Sequence, residues 1–207
     1  MKRKIFAMLT LSLLTALPFF GQKLHLGITT GLNVATLSEI GDIYDNNTLK
    51  TGFGGGLAVK YNFSDSWGIQ SGIIYEQKGF RCKQDLGEGE EKLTGTYNYI
   101  TLPLLAEGSF SIGGNYRLYG LTGGYAGFKT YAENAMVTTG NEISEAPAEE
   151  NIHNEDFGWV IGGGIQVPAG NHLLQAGLKY SLGLTEVTKD QPDSRNKSLL
   201  VSVTFFF

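Results

Sequence analysis

The sequence predicts an all-β fold, an eight-stranded antiparallel up-and-down transmembrane β-barrel. Three observations support this prediction. Apolar and polar side chains alternate along eight segments, the connections between these segments alternate between short and long, and a bulky apolar face lies opposite a face of small or polar residues. Successive side chains of a strand point to opposite faces, so the pattern describes strands with one apolar and one polar surface.

The first 22 residues have the layout of a secretory signal peptide. Three basic residues open it, an apolar run extends over residues 5–20, and Gly21 lies where a small residue is expected near a cleavage site. A transmembrane anchor is the alternative, but the run is short for a helix that must cross about 30 Å of hydrocarbon. We therefore expect residues 1–22 to be removed and residues 23–207 to form one exported domain in the outer membrane.

Composition excludes several other classes of protein. The formal net charge is −4 and becomes −7 without residues 1–22, because that segment carries three charges, all positive. A chain this acidic has no electrostatic footprint for nucleic acid. Cys82 is the only cysteine, so we expect neither an internal disulfide nor a cysteine-rich metal site. Beyond the signal, no segment approaches 18 consecutive apolar residues, and the 29 glycines disfavour a helical domain.

The clearest predicted strand begins at Phe53. Large apolar residues from Phe53 to Phe63 alternate with small or polar residues such as Lys60. The last segment repeats this alternation with two exceptions, Leu200 and Phe206. The eight segments cover residues 24–34, 53–63, 67–78, 97–107, 116–128, 157–167, 174–184 and 198–207. Each is about as long as a tilted strand that spans a bilayer.

The connections alternate in length. Three short turns rich in Gly, Asn, Asp, Ser or Pro are predicted at residues 62–66, 111–115 and 168–171. Four longer loops are predicted at residues 35–51, 80–95, 129–155 and 185–197. In an up-and-down barrel all short turns then lie at one end, together with both termini. Outer-membrane barrels have an even strand count, short periplasmic turns and longer external loops, so this end is predicted to be periplasmic.

The direction in which each face points distinguishes a membrane barrel from a soluble one. A soluble eight-stranded barrel would turn its apolar face inward around a ligand. The narrow interior of eight strands has no room for rows of Leu, Ile and Phe, whereas lipid accepts an outward apolar band with aromatic rims. We therefore expect the polar face to line the lumen. Six charged residues lie on that face: Lys60, Glu76, Lys78, Glu107, Arg117 and Lys179.

We interpret these six charges as a structural network of ion pairs that fills the lumen. Buried charges are tolerated when they are paired and hydrogen-bonded. The alternative interpretation is a path for protons or small ions through the barrel.

Four segments resemble hallmark stretches of the PorT-like outer-membrane β-barrel proteins of Bacteroidetes. They are Gly27–Asn33 (GITTGLN), Asn98–Leu105 (NYITLPLL), Asp156–Gly164 (DFGWVIGGG) and Lys179–Thr185 (KYSLGLT). The resemblance spans essentially the whole mature chain and implies the barrel fold. For the protein after which the family is named, the resemblance implies a role in the secretion of proteins across the outer membrane. No residue of this chain indicates that it has the same role.

The last strand resembles the terminal signal by which the barrel-assembly machinery recognises its clients. Phe205 and Phe207 belong to its alternating apolar residues, and Phe207 is the last residue of the sequence. An exposed strand with an apolar row can be captured by the edge of another sheet. We expect this chain to contact that machinery during biogenesis, and outer-membrane lipid and lipopolysaccharide afterwards.

An enzyme acting on lipid A is the rival class of barrel. Such an enzyme needs a nucleophile, a base and an orienting acid within hydrogen-bond reach. His25 is expected to point into the lumen, His153 lies in a predicted long loop and His172 in a short turn, and none has an evident serine and acid beside it. We therefore predict no catalysis, no cofactor and no metal site.

Two further patterns, an acidic stretch and two glycine clusters, do not predict a binding site. The acidic stretch within residues 141–156 could gather calcium or cations that bridge lipopolysaccharide, but it has no spaced ligand motif, so we predict a solvated loop. The glycine clusters at residues 54–56 and 162–164 lack the following helix and the Lys-Ser/Thr pair of a phosphate loop, and we attribute them to close strand packing.

The function predicted from the sequence is that of a non-catalytic outer-membrane barrel. It would be structural or would bind through its external loops. An accessory role in an outer-membrane secretion or transport assembly, with envelope proteins as partners, is the alternative.

Overall fold

The computed structural model describes residues 24–38, 46–85, 90–139, 142–146, 152–187 and 194–207. The predicted signal peptide and part of the acidic stretch lie outside these residues, and the side chain of Cys82 is not described. Ten strands are present: β1 (Leu24–Ser38), β2 (Asn46–Thr48), β3 (Lys50–Asn62), β4 (Trp67–Asp85), β5 (Glu90–Gly113), β6 (Tyr116–Thr139), β7 (Glu142–Ala146), β8 (Glu155–Ala169), β9 (His172–Gly183) and β10 (Arg195–Phe206). Among the described residues, no helix has the length and apolar character needed to cross a membrane.

Eight of these strands close into an antiparallel barrel, in the order β4, β3, β1, β10, β9, β8, β6, β5, with β5 pairing back to β4. The first and last strands are neighbours, in a continuous ladder from Gly27 opposite Phe206 to Ser38 opposite Arg195. Closure pairs the strand edges, which hydrocarbon requires because it offers no hydrogen bonds to an open edge. The predicted fold class is confirmed. The short strands β2 and β7 add to β4 and β6 outside the barrel wall.

Three tight turns form one end of the barrel. In the turn between β3 and β4, the Ser64 hydroxyl accepts a hydrogen bond from the backbone N–H of Trp67 at 3.0 Å. The other two turns contain Gly114 with φ of 56° and Gly170 with φ of 67°, a left-handed conformation that glycine adopts without steric cost. These are the three predicted short turns, and because short turns are periplasmic in outer-membrane barrels, we refer to this end as the periplasmic end.

The barrel exposes its large apolar side chains and buries its polar ones. On β3, Leu57 is 59% exposed, whereas Lys60 on the opposite face is 2% exposed. The last strand shows the same alternation, with Val203 exposed and Ser202 buried. The predicted orientation of the two faces is confirmed. Members of the outward apolar band include Leu26, Ile28, Leu32, Phe53, Leu57, Ile69, Ile73, Leu102, Leu104, Trp159, Ile161, Ile165, Leu178, Val201, Val203 and Phe205.

The strand bounds differ from the prediction at the external end. β4 continues to Asp85, β5 begins at Glu90 and β6 continues to Thr139, so residues 80–85 and 90–95 of the predicted loop are paired strands. The predicted loops at residues 35–51 and 129–155 also contain strand residues, including β2 and β7. In β5 the consecutive residues from Gly95 to Asn98 are all buried, so the alternation of exposed apolar and buried polar residues on which the prediction depended is lost there.

Leu200 and Phe206, the two large apolar residues on the polar face of the last strand, point into the lumen, where glycines leave space for them. Leu200 is 4% exposed and Phe206 is fully buried. A Cβ atom on Gly54 would lie 2.7 Å from Leu200 Cδ1, and one on Gly27 would lie 2.7 Å from Phe206 Cδ1.

Candidate functional site

Polar side chains fill the lumen near the periplasmic end, in what we call the periplasmic cluster. Lys60 Nζ lies 2.6 Å from Glu107 Oε1 and donates to Gln166 Oε1 at 3.1 Å. Gln70 donates to Glu107 and, at 2.8 Å, to Gln175. All five side chains are buried, so the ion pair is surrounded by amides that satisfy the remaining carboxylate and ammonium positions.

A second buried group, the external cluster, lies nearer the outer end of the lumen. Lys78 Nζ lies 3.0 Å from Asp156 Oδ2 and 3.3 Å from Glu76 Oε2. Asp156 also accepts hydrogen bonds from the Tyr125 hydroxyl at 3.1 Å and from Asn196 Nδ2 at 2.9 Å. The Lys78 ammonium lies 4.6 Å from the centre of the Tyr125 ring, within the range of a cation–π contact. One cation is thus held by two carboxylates and an aromatic face.

The remaining two predicted charges lie apart from these clusters. Arg117 lies at the periplasmic mouth, where its guanidinium donates to the Asp65 carbonyl at 2.6 Å and to the Ser109 carbonyl at 3.2 Å. Lys179 lines a lumen cavity of about 20 Å³, which Glu76 of the external cluster also lines. Within the described ranges, the ion pairs involve Lys60 and Lys78 but neither Arg117 nor Lys179.

Apolar layers separate and cover the two clusters. Between them lies a layer of Leu105, Tyr119, Leu121, Tyr125 and Val160. Above the external cluster lies a second layer, the apolar plug, formed by Leu37, Phe80, Tyr97, Tyr99, Ala132, Ile152 and Val187. The plug includes residues from two external connections, which are joined by a hydrogen bond from the His153 N–H to the Val187 carbonyl at 2.8 Å. The interior is therefore packed with side chains along its length.

Glycines on β8 and β9 provide the space that the inward tyrosines occupy. A Cβ atom on Gly158 would lie 2.5 Å from Tyr125 Cε1, and one on Gly177 would overlap the Tyr119 hydroxyl. A Cβ atom on Gly162, in one of the two glycine clusters, would lie 3.2 Å from Leu121 Cδ1. The glycines thus leave room for large inward side chains of the neighbouring strand β6 to lie against β8 and β9.

A polar depression of about 670 Å³ opens at the periplasmic end. His25, Asp65, Arg117 and His172 line its wall, and Lys60 of the periplasmic cluster lies at its floor. The His172 ring also packs against Phe205, with 5.2 Å between ring centroids. Phe205 and Phe207, the two predicted assembly residues, both lie on the exposed outer face at this end.

Strands on one side of the barrel rise past the apolar band into an external sheet. We define this sheet as β2, β7 and the parts of β4, β5 and β6 at residues 77–85, 90–98 and 129–139. The β4–β5 ladder continues without interruption from Gln77 opposite Asn98 to Asp85 opposite Glu90. The β6 strand pairs with both β5 and β7 in this region.

Sequence reasoning missed the acid at the centre of the external cluster. Asp156 was assigned to a solvated acidic loop, but it is 1% exposed and belongs to β8. Alternation in β8 places Phe157 on the outward face. If the predicted strand is extended by one residue toward the N-terminus, the same alternation places Asp156 on the inward face. The backbones of Glu142 and Glu145 lie in β7, which also corrects the loop assignment. The glutamines of the periplasmic cluster, Gln70, Gln166 and Gln175, are not among the residues that the sequence analysis singled out.

The described residues contain no arrangement typical of a hydrolase or a metal centre. No hydrogen bond joins the imidazoles of His25, His153 or His172 to a serine or a carboxylate in this part of the chain. No group of three or more His, Cys, Asp or Glu side chains there has the geometry to hold a metal ion.

Comparison with known proteins identifies the class of this chain. The family model described as outer membrane protein beta-barrel domain matches residues 20–189. No curated protein sequence matches the chain at a significant level. Solved structures with a similar fold include the outer membrane protein OprG from Pseudomonas aeruginosa, at 13% identity with a TM-score of 0.52 over 89% of this chain and 96% of that one. Ail of Yersinia pestis, the attachment invasion locus protein, has 18% identity and a TM-score of 0.42 over 89% and 99% of the two chains.

Proposed function

Because the chain belongs to the family of the outer membrane protein β-barrel domain, we propose that it is a non-catalytic protein that binds a partner outside the cell through its external sheet. The protein is an eight-stranded barrel of the outer membrane. Its lumen is filled with side chains, so the surfaces left for a function are its two ends and the face toward lipid.

The external sheet is the observation that carries this proposal. The outward apolar residues of β4 end at Tyr75, and the strand continues to Asp85. Ten further residues extend a strand by about 33 Å. β5 and β6 extend alongside β4 as antiparallel neighbours, so the projecting segment is a paired sheet on one side of the barrel. A hydrogen-bonded sheet presents a surface with little loss of conformational entropy on binding, which favours recognition.

The same proposal states that the protein does not catalyse a reaction. Its support is the isolation of the described histidines from serine and carboxylate groups, together with the structural use of the buried acids in ion pairs. Comparison of lipid A mass spectra with and without expression of the protein tests it, and a modified lipid A would contradict it.

An accessory role in secretion, suggested by the resemblance to PorT-like proteins, is the second candidate. The polar depression at the periplasmic mouth supports it, because it is a concave surface of about 670 Å³ that a periplasmic partner could occupy. The two candidates therefore place the partner on opposite sides of the membrane.

Site-specific photo-crosslinking in native envelopes separates the two candidates. A photoreactive residue is introduced at exposed Arg81 or Tyr131 in the external sheet, and at Ser64 or Asn171 in the periplasmic turns. We expect a discrete adduct from the external positions. A variant in which residues 82–93 are replaced by an Asn-Gly turn is the control, because it should lose the adduct and still fold as a barrel. Adducts confined to the periplasmic turns would contradict external binding and support the accessory role.

A further inference from the structure

The polar depression at the periplasmic end brings together nitrogen groups from opposite walls of the barrel. His25 of β1 lies directly opposite Lys60 of β3 in their ladder, and Arg117 of β6 lies directly opposite Gln166 of β8. Three strands separate β1 from β6 in either direction around the barrel, so His25 and Arg117 face each other across its mouth. All four side chains line the depression, which is therefore bordered by nitrogen groups on both sides.

Arg117 brings to the depression a positive charge that no described carboxylate pairs with. Its Nε and Nη2 atoms donate to the Ser109 hydroxyl and to the Asp65 carbonyl, whereas Nη1 has no hydrogen-bond partner among the described residues. The ion pairs of this part of the chain do not include the guanidinium. The Asp65 carboxylate lies in an exposed turn, where water and salt screen its charge. An anion in the depression would supply the partner that the guanidinium lacks.

Lys60 and His25 add donors at the floor and at the opposite wall. The Lys60 ammonium has three hydrogens, and its hydrogen-bond partners are Glu107 and Gln166. The His25 imidazole has no hydrogen-bond partner within the described ranges, and a neutral imidazole keeps one N–H to donate. Because charged donors form the strongest hydrogen bonds to anionic oxygens, this set of side chains favours an oxyanion.

The size and the lining of the depression indicate a ligand larger than an inorganic ion. Its volume of about 670 Å³ falls in the range of sites that hold organic molecules, roughly 300–1,000 Å³. Asn62 and Asn171 contribute carboxamides to its wall, and Phe63 and Leu173 contribute apolar side chains. Carboxamides hydrogen-bond to peptide groups, and the apolar surface accepts an apolar side chain. The end of a peptide chain combines these groups with a carboxylate.

We propose that the polar depression binds the C-terminal carboxylate of a periplasmic peptide segment. Arg117 Nη1 is the main donor to the carboxylate, and the Lys60 ammonium and the His25 imidazole donate from the floor and the opposite wall. The preceding peptide groups lie against the carboxamides of the rim. This inference goes beyond the external binding proposed above and does not depend on it, so the failure of either leaves the other unaffected.

Binding of a labelled peptide to the mature protein in phosphatidylcholine nanodiscs tests the inference. The probe is Gly-Ser-Gly-Ala-Leu with a free C-terminal carboxylate and an N-terminal fluorescein, and fluorescence anisotropy gives its Kd. We expect Arg117→Gln to raise the Kd about 30-fold, because a hydrogen bond to a charged group is lost, and His25→Gln to raise it about 5-fold. Asp65→Asn should lower the Kd about 2-fold, because it removes an exposed negative charge beside the site.

Two controls separate recognition of the carboxylate from other effects. Lys197→Gln is the matched variant, since Lys197 is a cation of β10 near the external end and should leave the Kd unchanged. The same peptide with a C-terminal amide should bind the wild type at least as weakly as the free acid binds Arg117→Gln. Heat-modifiable migration verifies that every variant has folded.

Competition by N-acetylleucine distinguishes a peptide end from a free small carboxylate. This compound has the carboxylate and the apolar side chain but lacks the preceding peptide groups, so we expect it to displace the probe only at much higher concentration than the unlabelled peptide. An unchanged Kd in Arg117→Gln, an equal loss in Lys197→Gln, equal binding of acid and amide, or equal competition by N-acetylleucine would each overturn the proposal.

Discussion

Lys60 and Glu107 form an ion pair that water does not reach, since their side chains are 2% and 3% exposed. A charge buried in this way is stable only while its partner is present, because the cost of leaving water is offset by the attraction of the pair and by the surrounding amides. Arg117 differs, because it lies at the open mouth and bonds to carbonyl groups. Residues of similar charge therefore contribute differently to stability.

Removal of one member of the buried pair should destabilise the barrel strongly. We expect Lys60→Met or Glu107→Met to lower the free energy of unfolding by about 3–5 kcal/mol, because an unpaired charge remains in the lumen. The double variant Lys60→Met/Glu107→Met should lose less than either single variant. Arg117→Ala is the comparison and should cost about 1 kcal/mol, as for ordinary hydrogen bonds. Urea unfolding in phospholipid vesicles measures all four values, and additive losses in the double variant would refute the pairing.

A glycine that faces a tyrosine should be intolerant of alanine. Gly158→Ala should cost about 1–3 kcal/mol, because the new methyl group would meet the Tyr125 ring and the Leu182 carbonyl. Gly124→Ala on the neighbouring strand is the matched control: its Cβ atom would have only the Gly158 carbonyl nearby, at 3.7 Å, and should change stability by less than about 0.5 kcal/mol. The same urea titration compares the two, and equal losses would exclude the proposed packing.

Single residues of the site were predictable where alternation is regular. Lys60, Glu76, Lys78 and Glu107 lie in strands with a clear period of two, and the structure places all four in the lumen. Their partners were not predictable, because pairing across a barrel depends on the register between strands that are distant in sequence. Asp156 was misplaced because it lies at the boundary between a strand and an acidic loop.

At the scale of elements, β5 contains a proline, although each strand of the barrel wall normally pairs its backbone N–H and C=O groups with the neighbouring strands. The β4–β5 ladder pairs Ser71 with Leu104 and Ile74 with Thr101, and it is interrupted between these two pairs, where Pro103 lies. Proline has no N–H to donate. The Ser71 hydroxyl donates to the Pro103 carbonyl at 2.8 Å, which satisfies one of the groups at the interruption. Pro103 also lines the small lumen cavity beside Lys179.

This interruption should be the weak point of the wall. We expect the amide of Gly72, which faces Pro103, to exchange with deuterium faster than that of Gly56, which lies in the uninterrupted β1–β3 ladder. Hydrogen exchange of the barrel in bilayers, read by NMR, measures the difference. Equal protection of the two amides would show that the ladder is continuous in solution.

The elements themselves were predicted to different degrees. The number of barrel strands, the short turns and the inner part of each strand followed from alternation and turn residues. The outer parts of β4, β5 and β6 were taken for loops, because their residues leave the membrane and no longer alternate between apolar and polar.

At the scale of the whole molecule, two polar clusters, an apolar layer and the apolar plug fill the barrel from one end to the other. Eight strands leave an interior only wide enough for side chains. We expect planar bilayers containing the protein to show no stable channel conductance, and Glu107→Ala or Arg117→Ala to change stability without opening one. A conductance of the size of a water-filled pore in either variant would support the alternative of an ion path.

The orientation of the two faces underlies every proposal above, and spin labels test it directly. In a Cys82→Ser background, labels are placed at Leu57, Leu178 and Val203 on the predicted lipid face, and at Ala58 and Ser202 on the lumen face. The power-saturation signal should show high accessibility to oxygen, which concentrates in lipid, at the first three positions, and low accessibility at the other two. High oxygen accessibility at Ala58 and Ser202 with low values at Leu57, Leu178 and Val203 would contradict the account.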